Sequence, residues 1–246
     1  MFIDHTMTST IARATDAVRA AEPVAAADPL RPVFHFRPPA QWMNDICGAL
    51  WHAGWYHIFY QFNPFAERCD WSCVTPCWGH ARSRDLVHWE QLPIALAPSL
   101  DEGNYQCVSG CATHRADGTP MLFYGHTPLP HPDGTRPPRQ QWAALPLDPE
   151  LRAWRTLDIG LAPGQSGVPA AIAGCWTDMF VFREAGRTFA IFKEASGLVV
   201  EAQNPELTRW QAVGRIDGVF GECPNFIKLQ NRWLLLRSTY PMTYQV

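Results

Sequence analysis

Asp85-Leu86-Val87-His88-Trp89, Glu150-Leu151-Arg152-Ala153-Trp154 and Glu206-Leu207-Thr208-Arg209-Trp210 are three copies of one element: an acid, a Leu directly after it, and a Trp four residues on. The tryptophans lie 65 and then 56 residues apart. That period exceeds the unit of a helical solenoid and suits a four-stranded propeller blade with generous loops. The chain is therefore expected to be all-β and built of repeats.

Around these elements run four strand-turn-strand patterns of alternating apolar and polar residues. They span Gly48 to Pro64 with a turn at Ala53-Gly54, Gly110 to Thr127 turning at Asp117-Gly118, Asp178 to Glu194 turning at Ala185-Gly186, and Asn225 to Tyr240 turning at Gln230-Asn231. Ahead of the hairpins stand Trp42-Met43-Asn44-Asp45, Val108-Ser109, Trp176-Thr177-Asp178 and Glu222-Cys223-Pro224. Blades are related by rotation about a channel, so residues heading the innermost strands are expected to converge on its axis. Asp45, Asp178 and Glu222 should meet in one funnel.

Clustered carboxylates at a propeller mouth suit glycoside chemistry, in which one carboxylate attacks the anomeric carbon and a second protonates the leaving oxygen. The 11 Trp, 6 Tyr and 13 Phe supply flat apolar faces for a sugar ring. A single acid at the head of a blade more often caps backbone amides. Three at corresponding places favour the catalytic reading.

These residues carry a family resemblance. Phe34-His35-Phe36, Trp42-Met43-Asn44-Asp45, Gly54-Trp55-Tyr56-His57-Ile58-Phe59-Tyr60-Gln61-Phe62-Asn63-Pro64 and Trp78-Gly79-His80-Ala81 resemble glycoside hydrolase family 32, the invertases and fructan hydrolases. So do Asp85-Leu86-Val87-His88-Trp89, Leu92-Pro93-Ile94-Ala95-Leu96, Val108-Ser109-Gly110-Cys111-Ala112 and Glu222-Cys223-Pro224, all in the family's order. The resemblance implies a five-bladed β-propeller followed by a β-sandwich, and retaining hydrolysis of β-fructofuranosides. By position it implies Asp45 as nucleophile, Glu222 as general acid/base and Asp178 as the stabiliser that holds sugar hydroxyls. Asn44, Gln61, Trp78 and Ser109 would line the fructose subsite, Trp42 and Trp71 would form apolar walls, and Val108 and Thr177 complete the expected sugar-contacting set. A retaining pair needs carboxyl groups roughly 5 to 5.5 Å apart. A partly apolar, carboxylate-rich funnel would keep the acid protonated near working pH.

Neighbours of the three acids depart from the family pattern. The usual W-M-N-D-P-N-G reads Trp42-Met43-Asn44-Asp45-Ile46-Cys47-Gly48, and the usual E-C-P-D reads Glu222-Cys223-Pro224-Asn225. The usual R-D-P reads Thr177-Asp178-Met179, which removes an Arg that would contact the sugar. Loss of a charged donor costs on the order of 1.5 to 3 kcal/mol. The preferred sugar is more exposed to that change than the reaction type.

Eight cysteines, Cys47, Cys69, Cys73, Cys77, Cys107, Cys111, Cys175 and Cys223, crowd the same motifs. Cys69, Cys73 and Cys77 have helical spacing, but Pro76 argues for a loop. Their spacing lacks the C-x-x-C knuckle of structural zinc, so apolar packing or loop disulfides are expected in place of a metal site. No cofactor is expected. His57, His80 and His88 lie within family-like strand patterns and are expected to be structural. Pro128 to Pro138 reads as a surface excursion within the second blade, and Gly160 to Gly174 as a small-residue loop leading to the third acid.

With 246 residues, 47% hydrophobic and 17% charged, the chain has ample material for a core. A net charge of −3 offers no electrostatic case for nucleic acid or an anionic membrane. No apolar run is long enough to span a bilayer. Residues 1–30 are Ala-rich and polar, with Arg13 and Arg19 breaking any apolar stretch; they are expected to form a mobile tail, part helical from Ile11 to Ala21, and not a secretory leader. A cytoplasmic location is the expectation, with export left open by the cysteines. Residues 31–246 would be a partial propeller of about three and a half blades, with its sandwich absent, because no acid-Leu-x-x-Trp element follows the fourth hairpin. The expected function is a retaining β-fructofuranosidase acting on sucrose or short fructans. A fructosyltransferase, a furanosidase for another sugar such as arabinose, and a sugar-binding pseudoenzyme are the alternatives. The expected partner is a small oligosaccharide, and the oligomeric state is open.

Overall fold

The computed structural model describes residues 7–68, 76–170, 177–193, 197–217, 221–239 and 243–245. One helix, α1 (Met7–Ala27), precedes fifteen strands among them. Strands β1 (Trp42–His52), β2 (Trp55–Asn63), β3 (Cys77–Ser83) and β4 (Trp89–Leu96) form one antiparallel sheet in chain order. β5 (Asn104–His114), β6 (Pro120–Pro128), β7 (Gln140–Pro146) and β8 (Trp154–Leu161) form a second. β9 (Thr177–Glu184), β10 (Arg187–Lys193), β11 (Leu198–Ala202) and β12 (Trp210–Arg215) make a third, and β13 (Glu222–Leu229), β14 (Arg232–Ser238) and β15 (Thr243–Gln245) a three-stranded fourth. The all-β reading of the repeats and the four sequence-expected hairpins are all found.

Hairpin chemistry follows the residues. Ala53-Gly54 closes β1 to β2 and Ala185-Gly186 closes β9 to β10, each with both residues at positive φ. That left-handed pair matches the twist of the strands it joins, which is why Gly takes the second place. The acid-Leu-x-x-Trp element is the turn from the third strand of a sheet to its fourth. Leu86, Leu151 and Leu207 all take positive φ, near 60°. The turn amides are capped by Asp85 and Ser83 in the first copy, by Asp148 in the second and by Asn204 in the third. Each Trp then opens the fourth strand. The indole of Trp154 donates to the Leu151 carbonyl at 3.1 Å and that of Trp210 to the Leu207 carbonyl at 2.9 Å.

The period has a packing cause. Trp154 meets Phe59 of β2 edge-on at 5.5 Å, and Trp210 meets Phe123 of β6 edge-on at 5.7 Å. Each Trp thus presses on the second strand of the preceding sheet, a contact worth roughly 0.5 to 1.5 kcal/mol beyond its buried area. Trp89, in the first described sheet, packs on Phe36. There α1 supplies the cover: Ala14 and Val18 are buried, with Met7 and Ile11 beside them, against Tyr60, Phe62, Ala81 and Ile94. Those four helix positions make one apolar stripe at helical spacing. The segment expected as a part-helical tail is thus helical well beyond Ile11 to Ala21.

By its contacts the chain divides into two compact units, Met1–Cys107 with Pro146–Trp154, and Val108–Leu145 with Arg155–Val246. In the second, Met121, Phe123 and Ala143 pack against Met179, Val181, Ala190 and Phe192, so two sheets stack face to face. Ile191 and Val199 in turn pack against Leu235 and Phe226 of the last sheet. No helix among the described residues is long and apolar enough to cross a membrane.

Candidate active site

All three carboxylates sit where a ladder loses register at the head of a sheet's first strand. In β1, Met43 pairs with Phe62 and Ile46 with Tyr60, so Asn44 and Asp45 together oppose Gln61. In β9, Thr177 pairs with Lys193 and Phe180 with Ile191, so Asp178 and Met179 oppose Phe192. In β13, Glu222 pairs with Ser238 and Asn225 with Leu236, so Cys223 and Pro224 oppose Arg237. Such bulges bend the strand and re-aim side chains. The acids share the element but not one position in it: Asp45 is the second residue of its bulge, Asp178 the first, and Glu222 stands just before.

In the first unit, Asn44 Nδ2 lies 3.4 Å from Gln61 Oε1, and Gln61 pairs with Trp78 of β3. Asp45 and Trp42 are half-buried, Asn44 is exposed and Trp78 is fully buried. Trp71, Cys69, Cys73, Cys175 and Trp176 lie outside the described residues. Hollows of about 630 and 850 Å3 beside α1 carry none of the expected site residues on their walls.

The second unit gathers the rest. Asp178 is 7% exposed. It accepts hydrogen bonds from the Thr177 hydroxyl at 3.0 Å and from the Cys223 backbone amide at 3.1 Å. Its backbone φ of 57° and that of Cys223, 46°, are both left-handed. Residues other than Gly hold that conformation only when their surroundings impose it, and such strain collects at functional sites. Burial raises the Asp178 carboxyl above the usual carboxylate range, opposed by the Cys223 amide, the Lys193 ammonium and the Thr177 hydroxyl, while the Glu222 charge adds to the rise. Glu222 is exposed and pairs with Lys193. The apolar surroundings expected for the acid/base are not what it has here. Val108 and Ser109 are buried on β5, and Val108 packs close against Gly125 of β6.

Two groups went unread in the sequence. Lys193 faces Thr177 across β9 and β10. Counting outward from the Ala185-Gly186 turn would have placed it opposite the acid. Arg139, directly after the Pro-rich excursion, interacts electrostatically with Asp178 and is half-buried.

Burial pushes the thiols of Cys77 and Cys111 up to about 12, which leaves them poor nucleophiles. His57 Nδ1 and His80 Nε2 lie 2.9 Å apart in the interior, and His88 is held at 2.7 Å by Asp85 on the surface. Among the described residues no three His, Cys, Asp or Glu are placed to hold a metal ion.

Comparison with known proteins gives the family of the chain. The sequence model for the glycosyl hydrolases family 32 N-terminal domain matches residues 35–245. The chain is 30% identical over 254 residues to the sucrose-6-phosphate hydrolase of Zymomonas mobilis, covering 93% of this chain and 46% of that protein. It is 42% identical over 128 residues to the insoluble β-fructofuranosidase isoenzyme 2 of Oryza sativa, covering 51% of this chain and 20% of that one. Among solved structures, the Bombyx mori family 32 β-fructofuranosidase superimposes with a TM-score of 0.74 at 26% identity, over 93% of this chain and 48% of that one. The chain thus spans about half the length of the relatives it matches end to end. With its repeated sheets, its bulged acids and a family match running through nearly all of it, the chain belongs to glycoside hydrolase family 32.

Proposed function

We propose that this chain carries the catalytic propeller portion, residues 31–246, of a retaining β-fructofuranosidase. The observation that carries the reading is the recurrence of an acid in or next to a bulge at the head of three first strands, Asp45, Asp178 and Glu222. In a five-bladed ring these heads would face one channel. Asp45 attacks the anomeric carbon of the fructosyl group while Glu222 gives a proton to the departing oxygen; the C–O bond to the leaving sugar breaks and a C–O bond to Asp45 forms. Water then attacks the same carbon, Glu222 takes its proton, and Asp45 is released as a carboxylate. Asp178, fixed by Thr177 and the Cys223 amide, holds ring hydroxyls through both steps. Asn44 and Gln61 would hydrogen-bond the fructosyl hydroxyls, and Trp42, Trp71, Trp78, Val108 and Ser109 would wall the subsite.

The test is product release from sucrose, sucrose 6-phosphate, inulin, levan and arabinan, with the anomer of the first-formed fructose followed by NMR. β-Fructose appearing first from any fructoside is the expected result. Arabinan cleavage alone moves the chain to another furanoside, product appearing only when an acceptor sugar is present makes it a transferase, and inverted product removes the covalent step. No cleavage and no transfer on any of them leaves a sugar-binding pseudoenzyme.

A further inference from the structure

The β6–β7 edge carries an unassigned polar group beside Asp178. Gly125 pairs with Gln141 and His126 with Gln140, and the same register carried one residue past the start of β7 sets Arg139 opposite Thr127. Residues directly paired, and residues two apart, share a face of a sheet. Thr127, Gly125, Arg139 and Gln141 therefore share one. That face looks at the head of β9, because a Cβ on Gly125 would lie 3.0 Å from the Thr177 hydroxyl oxygen. The same hydroxyl holds Asp178.

Polar capacity on this face is unused. Gln141 is 0% and Thr127 4% exposed, yet both polar atoms of the Gln141 amide and the Thr127 hydroxyl have no hydrogen-bond partner among the described residues. Buried polar groups in that condition are uncommon and costly, and they point to a bound state that satisfies them. Arg139, half-buried on the same face, makes no hydrogen bond or ion pair with any described residue, although Asp178 is near enough to act on its charge. A planar guanidinium has five donors in a fixed fork, enough to span two neighbouring hydroxyls while its other N–H groups reach acceptors behind it.

We propose that Arg139 orients the hydroxyls of the sugar held by Asp178, with Thr127 and Gln141 as the positioning residues that set the guanidinium plane. The inference deepens the fructoside reading above and rests on it. Its ligand is a neutral polyol with vicinal hydroxyls, not a phosphorylated one: Asp178 is the carboxylate that acts on Arg139, opposed by Arg136, and a further anion on the sugar hydroxyls held by Asp178 would be repelled by it.

Calorimetric titration of the full chain with fructose, and with fructose 6-phosphate, tests this. Arg139→Met should weaken fructose binding by about 10- to 100-fold, the range for loss of hydrogen bonds to a charged donor. Arg139→Lys, which keeps the charge and loses the fork, should recover only part. Gln141→Leu removes two unpaired polar atoms from the interior, so its melting temperature should hold or rise while fructose binding falls; a purely structural Gln141 would leave binding unchanged. Circular dichroism checks that each variant folds, and Arg139→Lys and Gln141→Leu decide the matter if Arg139→Met does not. Equal fructose affinity in the folded variants and the parent overturns the proposal, as does failure of the parent to bind fructose. Tighter binding of fructose 6-phosphate, lost in Arg139→Met, overturns the neutral-ligand assignment. Arginine-dependent fructose binding without sucrose cleavage would instead count against the hydrolase reading and leave this one standing.

Discussion

The backbone amide of Cys223 donates to Oδ2 of Asp178 at 3.1 Å, tying the head of β13 to the head of β9 across 45 residues of chain. With the Thr177 hydroxyl on Oδ1, both carboxylate oxygens are committed to the protein. Asp178→Ala should therefore strand two donors and cost about 1 to 3 kcal/mol each at most, whereas Asp178→Asn keeps one acceptor and should cost less. Urea midpoints of the two variants check the ordering. Turnover should fall in both, since neither side chain accepts from two hydroxyls as a carboxylate does.

Asp45→Ala and Glu222→Gln should fold as the parent does, because neither side chain is deeply buried. Steady-state assays should show turnover reduced about 10²- to 10⁴-fold in Glu222→Gln, the usual worth of a positioned acid, and at least as far in Asp45→Ala, which has no substitute nucleophile. Parent-like rates in either would take that residue out of the mechanism.

The buried His57–His80 pair makes the fold sensitive to mild acid. Burial is the largest cause lowering both imidazoles, His57 from 6.5 to about 4, with His52 and Arg82 adding to it for His57, and His57 and Arg82 for His80. A depressed histidine is neutral in the fold, so its contribution is fully present above pH 6.5 and is lost as pH falls from there toward 4, while the unfolded chain takes up the proton first. The loss from His57 is on the order of 3 kcal/mol. Asp178, raised by burial, has the opposite sign and regains stability as pH falls through its raised pKa, which offsets part of the histidine loss. Denaturation midpoints should drop between pH 7 and 5, and His57→Gln should flatten the slope.

Leu86 and Leu151 occupy the same left-handed position in successive turns, but Leu86 is 55% and Leu151 1% exposed. Leu86→Gly relieves the backbone at little cost in burial and should stabilise by up to about 1 kcal/mol. Leu151→Gly empties a core position and should destabilise by about 2 to 5 kcal/mol despite the same relief. Thermal melts of the pair test whether backbone or burial governs this turn.

Gly125→Ala would place a methyl group 2.4 Å from Val108 Cγ2 and 3.0 Å from the Thr177 hydroxyl. Overpacking of this kind costs roughly 1 to 3 kcal/mol. Because Thr177 orients Asp178, activity should fall more than stability alone accounts for, read as kcat measured well below the melting temperature.

Much of this was legible in the residues. Ala53-Gly54 and Ala185-Gly186 announce tight hairpins because few residues accept positive φ, and the acid-Leu-x-x-Trp spacing marks the third-to-fourth strand turn because the Trp indole must reach back to the Leu carbonyl. The bulges were not legible. A residue inserted into a ladder leaves no trace in composition, so the acids read as equivalent when they stand one step apart. Lys193 was within reach of the residues, since counting outward from the Ala185-Gly186 turn sets it opposite Asp178, and the shift moves it by one place to Thr177. Arg139 was hidden by its prolines, which made the segment look like a surface excursion. The packing of α1 was masked by alanine, since Ala14 fills a buried place without looking apolar enough to claim one.

A bulge also sets how far the scaffold lies from its chemistry. The pairs on either side of each extra residue are kept, as Met43 with Phe62 and Ile46 with Tyr60 are around Asn44 and Asp45, although β1 shifts register once more before Gly48. Deleting one residue at 44–45, 178–179 or 223–224 would mend the local ladder and leave the hairpin turns, the apolar faces and the stacking tryptophans where they are. What would go is the odd spacing that the carboxylates occupy or adjoin. Single-residue shortening at these three places should thus yield chains that fold with their sheets intact and bind or cleave nothing, and a lineage could cross between active and inert forms by the loss or gain of one codon at a time.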